Sequence, residues 1–416
     1  MGHVQDRWFT TQHDTAIGKD KRVKTAQYGK GMRYKVRYLD PDGRERSKCF
    51  PDKCKKQADD FKLSMESDQR SGRYVDPDAG KTLLRDYAEN WIKGQAADLN
   101  SRATLRQKVN SRILAYLGSK PLSAVEKPAT IRDWLDWLRS SGTVSENYAE
   151  ALYRTLSGML ESAVSEKLIH NNPCRAKGIS RPRHKTAPAV AWDPERLTAI
   201  REAVPDRERI AVDLGVGLGL RFGEILGLSP DDVDDTAGVV HVRRQVRKVK
   251  GSGALVFSLP KRGKLRDVPL SPDLAALLQA YLAAFPAQPV TLPWKHPGGQ
   301  PVTHTVFLSR PGGRTWDASG WSYHVWDPTF RRAGLTKRRR IDGIHALRHT
   351  YASLLLADGV SVRELATYLG HDKLSFTLEI YTHMLPSSHQ RAQAAVTGFL
   401  RNHIAAQPPA DGLQAA

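Results

Sequence analysis

Near the end of the chain the stretch Leu378 to Leu385 reads LEIYTHML, and its Tyr381 has two available fates. A tyrosine is commonly a packing aromatic with its hydroxyl hydrogen-bonded. Its phenol, with an ordinary pKa of about 10, is a poor nucleophile unless cations surround it. Candidate cations lie upstream. In IHALRHTYAS, His345 and Arg348 are three apart and project from one face of a helix. That pair suits a phosphodiester, because a guanidinium donates two parallel hydrogen bonds to non-bridging oxygens while an imidazole holds or moves a proton. His345 and His349, four apart, could also propose a metal pair. No carboxylate sits between them as in a zinc-hydrolase helix, and Arg348 would oppose a cation. Arg221 in GLRFGEILGL is followed one helical turn later by Glu224, which read alone is a surface ion pair of small worth. Lys261, in SLPKRGKLRDVPL, reads as a lysine in a tight hairpin, either a solvated charge or an ammonium reaching across a groove. His371 closes the segment YLGH ten residues before Tyr381.

The elements that must position these groups differ along the chain. MRYKVRYLDPDGRERSKCF, residues 32–50, alternates basic with aromatic or apolar positions on either side of Asp40-Pro41-Asp42-Gly43, the signature of a β-hairpin. Helical spacing follows through Ala58, Phe61 and Met65. A small basic β-rich module over residues 1–78 is expected, with a disordered basic tail as the alternative, since Lys19 to Lys24 is so polar. Residues 80–172 carry LLRDYAENWI, ATLRQKVNSRILAYLG, TIRDWLDWLRSSG and NYAEALYRTLSGMLESAVSEKLI, each with an apolar stripe at three and four spacing. Residues 173–191 are rich in Pro and basic residues and read as a linker able to follow a phosphate backbone. Residues 192–400 begin with a helix start at Asp193-Pro194-Glu195, pass through strand-like stretches joined by Gly251-Ser252-Gly253, and return to helices near Gly343. Pro286 to Val302 reads as a surface connection, and residues 401–416 as a flexible tail.

The 416 residues hold 64 Lys plus Arg against 44 Asp plus Glu, a net charge of +20. A polyanion is therefore the leading class of partner, because each neutralised phosphate releases counterions. The segment Lys19 to Lys56 alone holds 14 basic and 5 acidic residues, interleaved with Tyr28, Tyr34 and Tyr38. Nucleic acid fits that class best, and the candidate contact residues are Arg33, Lys35 and Arg37 in the first module, Arg181, Arg183 and Lys185 in the linker, and Arg338, Arg339 and Arg340 ahead of His345. Three cysteines, Cys49, Cys54 and Cys174, argue against a disulfide framework and for a reducing compartment. No metal site is expected. Asp231, Asp232, Asp234 and Asp235 read as capping and turn chemistry, and Trp316, Trp321 and Trp326 as core. The N-terminal residues lack an apolar signal core and no window approaches about 18 apolar residues, so a soluble cytoplasmic protein without a membrane partner is expected.

Taken in order, Arg221, Lys261, His345, Arg348, His371 and Tyr381 resemble the catalytic set of the tyrosine recombinases, the phage integrase family, over the span Leu214 to Leu385. The resemblance implies a multidomain α+β chain: a small β-rich arm-binding module, a helical core-binding domain of SAM-like bundle type, and a mainly helical catalytic domain with a small antiparallel sheet. It implies Tyr381 as nucleophile in a reversible covalent phosphotyrosine mechanism, which stores the energy of the cut bond without a cofactor. Arg221 and Arg348 would stabilise the charge on pentacoordinate phosphorus. As the resemblance implies, Lys261 would protonate the departing 5′ oxygen, His345 would assist proton transfer at Tyr381, and His371 would hydrogen-bond a non-bridging oxygen. Glu224 would orient Arg221 or His345 from behind, where His349 is placed too.

The implied partners are double-stranded DNA at attachment and arm sites, a homotetramer on that DNA with exchange through a four-way junction, an excisionase-type directionality factor and a host DNA-bending protein. The C-terminal stretch SSHQRAQAAVTGFLRNHI, with Ala392, Val396, Phe399 and Leu400 at helical spacing, would pack either on a neighbouring protomer or in cis. Competing readings are a type IB topoisomerase, a metal-dependent nuclease and a DNA-binding regulator without catalysis.

Overall fold

The computed structural model describes residues 2–14, 19–41, 43–72, 74–76, 79–95, 98–184, 188–381, 393 and 396–401. Asp42 of the expected turn, Lys185 and Ala392 lie outside the described residues. The chain divides into two compact units, Met1–Lys185 and Thr186–Ala416.

The first unit holds two separate apolar cores. Its opening part comprises β1 (His3–Asp6), β2 (Phe9–Asp14), β3 (Lys19–Lys24), β4 (Tyr34–Leu39), β5 (Glu45–Phe50) and α1 (Lys55–Arg70). β1, β4 and β5 form an antiparallel sheet with β4 in the centre. Strand alternation puts Tyr34, Val36 and Tyr38 on the buried face, against Ala58, Phe61 and Met65 of α1, and leaves Lys35 and Arg37 on the other. The hairpin expected at residues 40–43 joins β4 to β5, and Gly43 turns at φ 78°. Lys19 to Lys24, polar enough to suggest disorder, is instead strand β3, paired with β2 in a two-stranded ribbon.

The second core gathers α2 (Leu84–Gly94), α3 (Leu99–Lys108), α4 (Leu114–Leu117), α5 (Leu122–Val125), α6 (Pro128–Ser140) and α7 (Glu146–Ser165). Local chemistry sets their ends. Asp98 accepts from the amides of Asn100 and Ser101, Ser145 accepts from that of Tyr148, and Pro128 opens α6. The apolar stripes meet at Leu84, Ile92, Ile113, Trp134, Leu152 and Leu156, all fully buried. The expected helices are present, with the short α5 added between them.

The second unit runs α8 (Pro194–Ala203), α9 (Asp206–Gly217), α10 (Phe222–Gly227), β6 (Val233–Asp234), β7 (Val239–Val242), β8 (Gln245–Lys248), β9 (Leu255–Ser258), β10 (Arg266–Pro269), α11 (Pro272–Ala284), β11 (Gln288–Pro293), β12 (Pro301–Val306), α12 (Ala318–Trp321), α13 (Asp327–Arg332), α14 (His345–Ala357), α15 (Val362–Leu369) and α16 (Leu374–Tyr381). Its sheets are small and antiparallel: β10-β7-β6, β8-β9 and β11-β12. Trp316, Trp321 and Trp326 lie in the core as expected. Two expectations are corrected here. Pro286 to Val302 contains most of the β11-β12 hairpin, whose prolines Pro289, Pro293 and Pro301 are tolerated because both strands are edges with no second ladder to supply. Lys261 is not in a hairpin, because β9 pairs with β8 whereas β10 pairs with β7, so its turn crosses between two sheets. Among the described residues no helix is long and apolar enough to cross a membrane.

Candidate active site

Helix α14 carries three of the expected groups, and its first turn sets their directions. His345 opens the helix with its ring edge in solvent. His349 lies one turn on, and their rings meet edge to face at 4.8 Å between centroids. Arg348 points inward and is 1% exposed. It donates through Nη1 to the Gly219 carbonyl at 2.7 Å and through Nη2 to the Leu369 carbonyl, while its buried Nε has no partner among the described residues. Burial, and then the nearby Arg221, push the Arg348 guanidinium down to about 9, which still leaves it charged at neutral pH.

Arg221 stands at the start of α10, and the Gly219 turn before it runs at φ 61° with Tyr351 packed so close that a Cβ there would clash. Its Nη1 donates to Glu224 Oε1 at 2.8 Å, its backbone amide to Glu224 Oε2 at 2.9 Å, and its Nη2 to the Gly370 carbonyl at 3.3 Å. Glu224 is shared. Arg266, on β10, grips both its oxygens at 3.1 and 2.7 Å and donates through Nε to the Tyr368 carbonyl at 2.7 Å. Burial alone would raise the Glu224 carboxyl, but the hydrogen bonds and charge of Arg266, with Arg221, override it and hold the group at about 2. Glu224 therefore orients Arg221, and among the described residues it makes no bond to His345.

The end of α15 is held by the same cations. Arg266, Arg348, Arg221 and Lys264 bind the successive carbonyls of Tyr368, Leu369, Gly370 and His371. Helix carbonyls without a helical partner are thereby satisfied, and cations at a helix C-terminus gain from its dipole. The turn passes through Gly370 at φ 63° and delivers His371, whose Nδ1 lies 2.8 Å from the buried Thr377 hydroxyl. With that nitrogen engaged, Nε2 is the one left to meet a ligand. Burial, then Arg348 and Arg221, lower His371 to about 3, so the ring is neutral.

Tyr381 ends α16 with 1% exposure. Its hydroxyl lies 2.9 Å from His349 Nδ1, and its ring is parallel to that of His371 at 6.5 Å. Burial raises the phenol to about 12, against the opposing pull of Arg348 and Arg221. Burial, then Arg348, lowers His349 to about 4, so a neutral imidazole faces a neutral phenol at pH 7. Desolvation by the surrounding protein, then His349 and Arg348, lowers His345 as well. The sequence motif singled out His345, yet the hydrogen bond to the tyrosine is made by His349.

Lys261 lies in an exposed turn lining a cleft with Arg221, Arg262, Gly370, His371, Asp372 and Phe376. Lys264, bound to Asp372 at 2.8 Å, and Arg262, also bound to Asp372, tie that turn to the start of α16. Sequence reasoning missed Arg266 and Thr377. Only the register of β10 and the fold of the His371 turn bring them to the site.

The other basic candidates differ in commitment. Arg33 is locked to Asp6 and Asp52 at 3.0 and 2.8 Å, Arg37 to Glu45 at 3.0 Å, and Arg181 to the buried Glu150 at 2.9 Å. Arg338 is bound to Asp342, whereas Arg183, Arg339 and Arg340 are exposed and Lys35 is half-buried on the outer face of β4. Ser229 and Asp232 cap the turn, Ser229 Oγ accepting from the Asp231 amide and Asp232 Oδ2 from the Ser229 amide, and Asp232 binds Arg244 at 2.7 Å.

A model of the phage integrase family matches residues 193–388. The putative prophage phiRv2 integrase of Mycobacterium tuberculosis is 27% identical over 399 residues, 93% of this chain and 99% of that protein. Among solved structures, the Tn1549 transposon integrase in complex with transposon right end DNA aligns with a TM-score of 0.61 at 18% identity, covering 76% of this chain and 99% of that one. The lambda integrase tetramer bound to a Holliday junction aligns at 0.50 and 16%, covering 81% and 93%. At such identities the structural likeness speaks for the fold, and the sequence match for the family. The chain belongs to the tyrosine recombinases of the phage integrase family and is a tyrosine-type site-specific DNA recombinase.

Proposed function

We propose that this recombinase integrates the DNA of a phage or integrative element by cutting and rejoining each strand through a 3′-phosphotyrosyl intermediate. The observation that carries the mechanism is the Tyr381 hydroxyl, held 2.9 Å from a neutral His349 nitrogen beside the buried Arg348. Tyr381 Oη attacks the scissile phosphorus, its proton passes to His349 Nδ1, and the bond from phosphorus to the 5′ oxygen breaks. Lys261 delivers a proton to that leaving oxygen. Arg221, Arg348 and the Nε2 side of His371 face the non-bridging oxygens and stabilise their growing charge. Glu224 and Arg266 hold Arg221 in place. His345 remains at the cleft edge as the assisting group. Attack by the 5′ hydroxyl of a second strand reverses the step and seals the exchange, so neither metal nor nucleotide is consumed.

The helical part, residues 80–172, is proposed to grip the core site, the module over residues 1–78 to bind arm-type DNA, and residues 173–191 to link the halves along the backbone. Assembly as a tetramer on two sites with a four-way junction draws support from the lambda structure. Excision with a directionality factor, a host bending protein and action in the cytoplasm complete the reading.

The test is a nicked suicide duplex carrying the element's own core site, incubated in chelator. Wild type should accumulate a covalent adduct that Tyr381→Phe cannot form. Binding by both proteins with no adduct from either, even with a second site supplied, would leave a DNA-binding regulator in its place.

A further inference from the structure

The β2-β3 ribbon is an odd construction for a small domain. Two strands alone are marginal in water, and among the described residues this pair has no sheet or helix over either face: Thr10, Thr11, Gln12, His13, Asp20, Lys21, Arg22 and Lys24 are all exposed. Its base is nevertheless pinned. Arg33 and Arg22 both bind Asp6, Trp8 Nε1 donates to the Lys30 carbonyl at 3.1 Å, and Phe9 and Tyr28 meet edge to face at 5.3 Å. A rigid stem therefore carries a solvated two-stranded blade.

The two faces of that blade differ. Paired residues of an antiparallel ladder share a face, so the register Phe9↔Lys24, Thr11↔Arg22, His13↔Asp20 defines one and Thr10↔Val23, Gln12↔Lys21 the other. On the first face the ionisable groups are engaged within the protein. Arg22 lies over Phe9 at 4.1 Å and pairs with Asp6, Lys24 lies over Tyr28 at 4.0 Å, and His13 Nδ1 pairs with Asp20 at 2.9 Å. On the second, the side chains of Thr10, Gln12 and Lys21 have no partner among the described residues. Their groups match base edges: Gln pairs with adenine N6 and N7, Lys with guanine O6 and N7, and a Thr methyl packs on the thymine methyl. A major groove about 12 Å wide admits a two-stranded ribbon.

We propose that the Thr10, Gln12 and Lys21 face of this ribbon enters the major groove of duplex DNA and reads the arm-type sequence. This rests on the reading of residues 1–78 as a DNA-binding module, and narrows it from the module to one blade and one face. The positive charge along the blade supplies the attraction, and the unengaged face the sequence discrimination.

The experiment selects bound sequences from a random duplex library with the full-length protein and maps guanine N7 methylation interference on the winners. Wild type should enrich a motif separate from the one that is cleaved, with interference in its major groove. The triple variant Thr10→Ala/Gln12→Ala/Lys21→Ala should bind that motif at least about tenfold more weakly, with cleavage of the core suicide duplex and the melting curve unchanged. Equal affinity and the same interference pattern in the triple variant would overturn the proposal. Lys35→Ala/Ser47→Ala, on the outer face of the β1-β4-β5 sheet, separates the two levels: loss of the motif there, with none in the ribbon variant, would keep the module reading and remove the ribbon. If wild type enriches only the cleaved motif, the module reading falls and the proposal with it.

Discussion

Two of the buried carboxylates gripped by arginines in the recombinase domain, Asp342 and Glu224, are built to different ends. Asp342 is fully buried and takes Arg196 at 2.6 Å, both ends of Arg338, and the indole of Trp192 at 2.9 Å. Burial pushes its carboxyl up and those donors bring it down further, so it stays ionised. Glu224, 1% exposed, takes Arg221 and Arg266, but a third guanidinium, Arg348, lies close enough to feel the other two and has no carboxylate hydrogen-bonded to it. At Asp342 the arginines that surround the carboxylate are bonded to it. At Glu224 positive charge is left over, some of it occupied by helix carbonyls. Uncompensated buried charge costs stability and persists where something anionic is to be bound. The arginine count is similar in the two clusters, so what separates a structural knot from the proposed phosphate site is the carboxylate balance.

Removing the leftover charge should have the largest effect. Arg348→Gln is expected to lower strand cleavage at least about a hundredfold, the scale of losing a preorganised donor to a developing negative charge, while leaving the melting temperature unchanged or higher. Suicide-substrate rates and thermal unfolding of the same preparation check it, and a large fall in melting temperature would show Arg348 to be a structural member like Arg338. Asp342→Asn should do the reverse. It strands two cations, and an expected loss of about 2 to 3 kcal/mol falls short of a deeply buried pair because Arg338 is 45% exposed. Cleavage per folded molecule should stay within a few-fold, as read by denaturant titration beside the adduct assay.

The same contrast explains what could be read before the structure. Arg221, His345, Arg348, His371 and Tyr381 announce themselves because each sits in a local motif whose spacing is set by one helix or one turn. Arg266 does not. It lies 42 residues from Glu224 and meets it through the placement of β10, which no local periodicity encodes. His349 was visible as a residue but not as the tyrosine's partner, since its contact spans 32 positions between α14 and α16. The helices of residues 84–165 were legible from their apolar stripes. The β11-β12 hairpin was hidden by prolines that only an edge strand accepts, and the β2-β3 ribbon by a polarity that suits a surface held from its base.

A pH titration sharpens the comparison by a smaller amount. His349 and His371 are lowered to about 4 and about 3, from an ordinary value near 6.5. Below that value the unfolded chain takes up protons that the folded site refuses. Their contribution to stability is therefore present above pH 6.5 and lost progressively toward pH 4, by at most about 1.4 kcal/mol per pH unit for each ring. His349→Phe should flatten the acid limb of thermal stability and slow adduct formation. A variant whose cleavage rate is unchanged would remove His349 from the proton transfer and return that role to His345.

The smallest effect belongs to the exposed end of the basic run. Arg339 and Arg340 lie beyond the reach of the Asp342 knot that fixes Arg338, so neither should matter to folding. If they meet the phosphate backbone, replacing either with Ala should weaken binding about equally on all sequences and reduce the salt dependence of the binding constant by about one counterion. Titrating the Tyr381→Phe protein with duplex DNA at several salt concentrations measures that slope. An unchanged slope for Arg339→Ala and Arg340→Ala alike would mean that the basic run serves Asp342 alone, and that the phosphate contacts of this domain are confined to the Glu224 side.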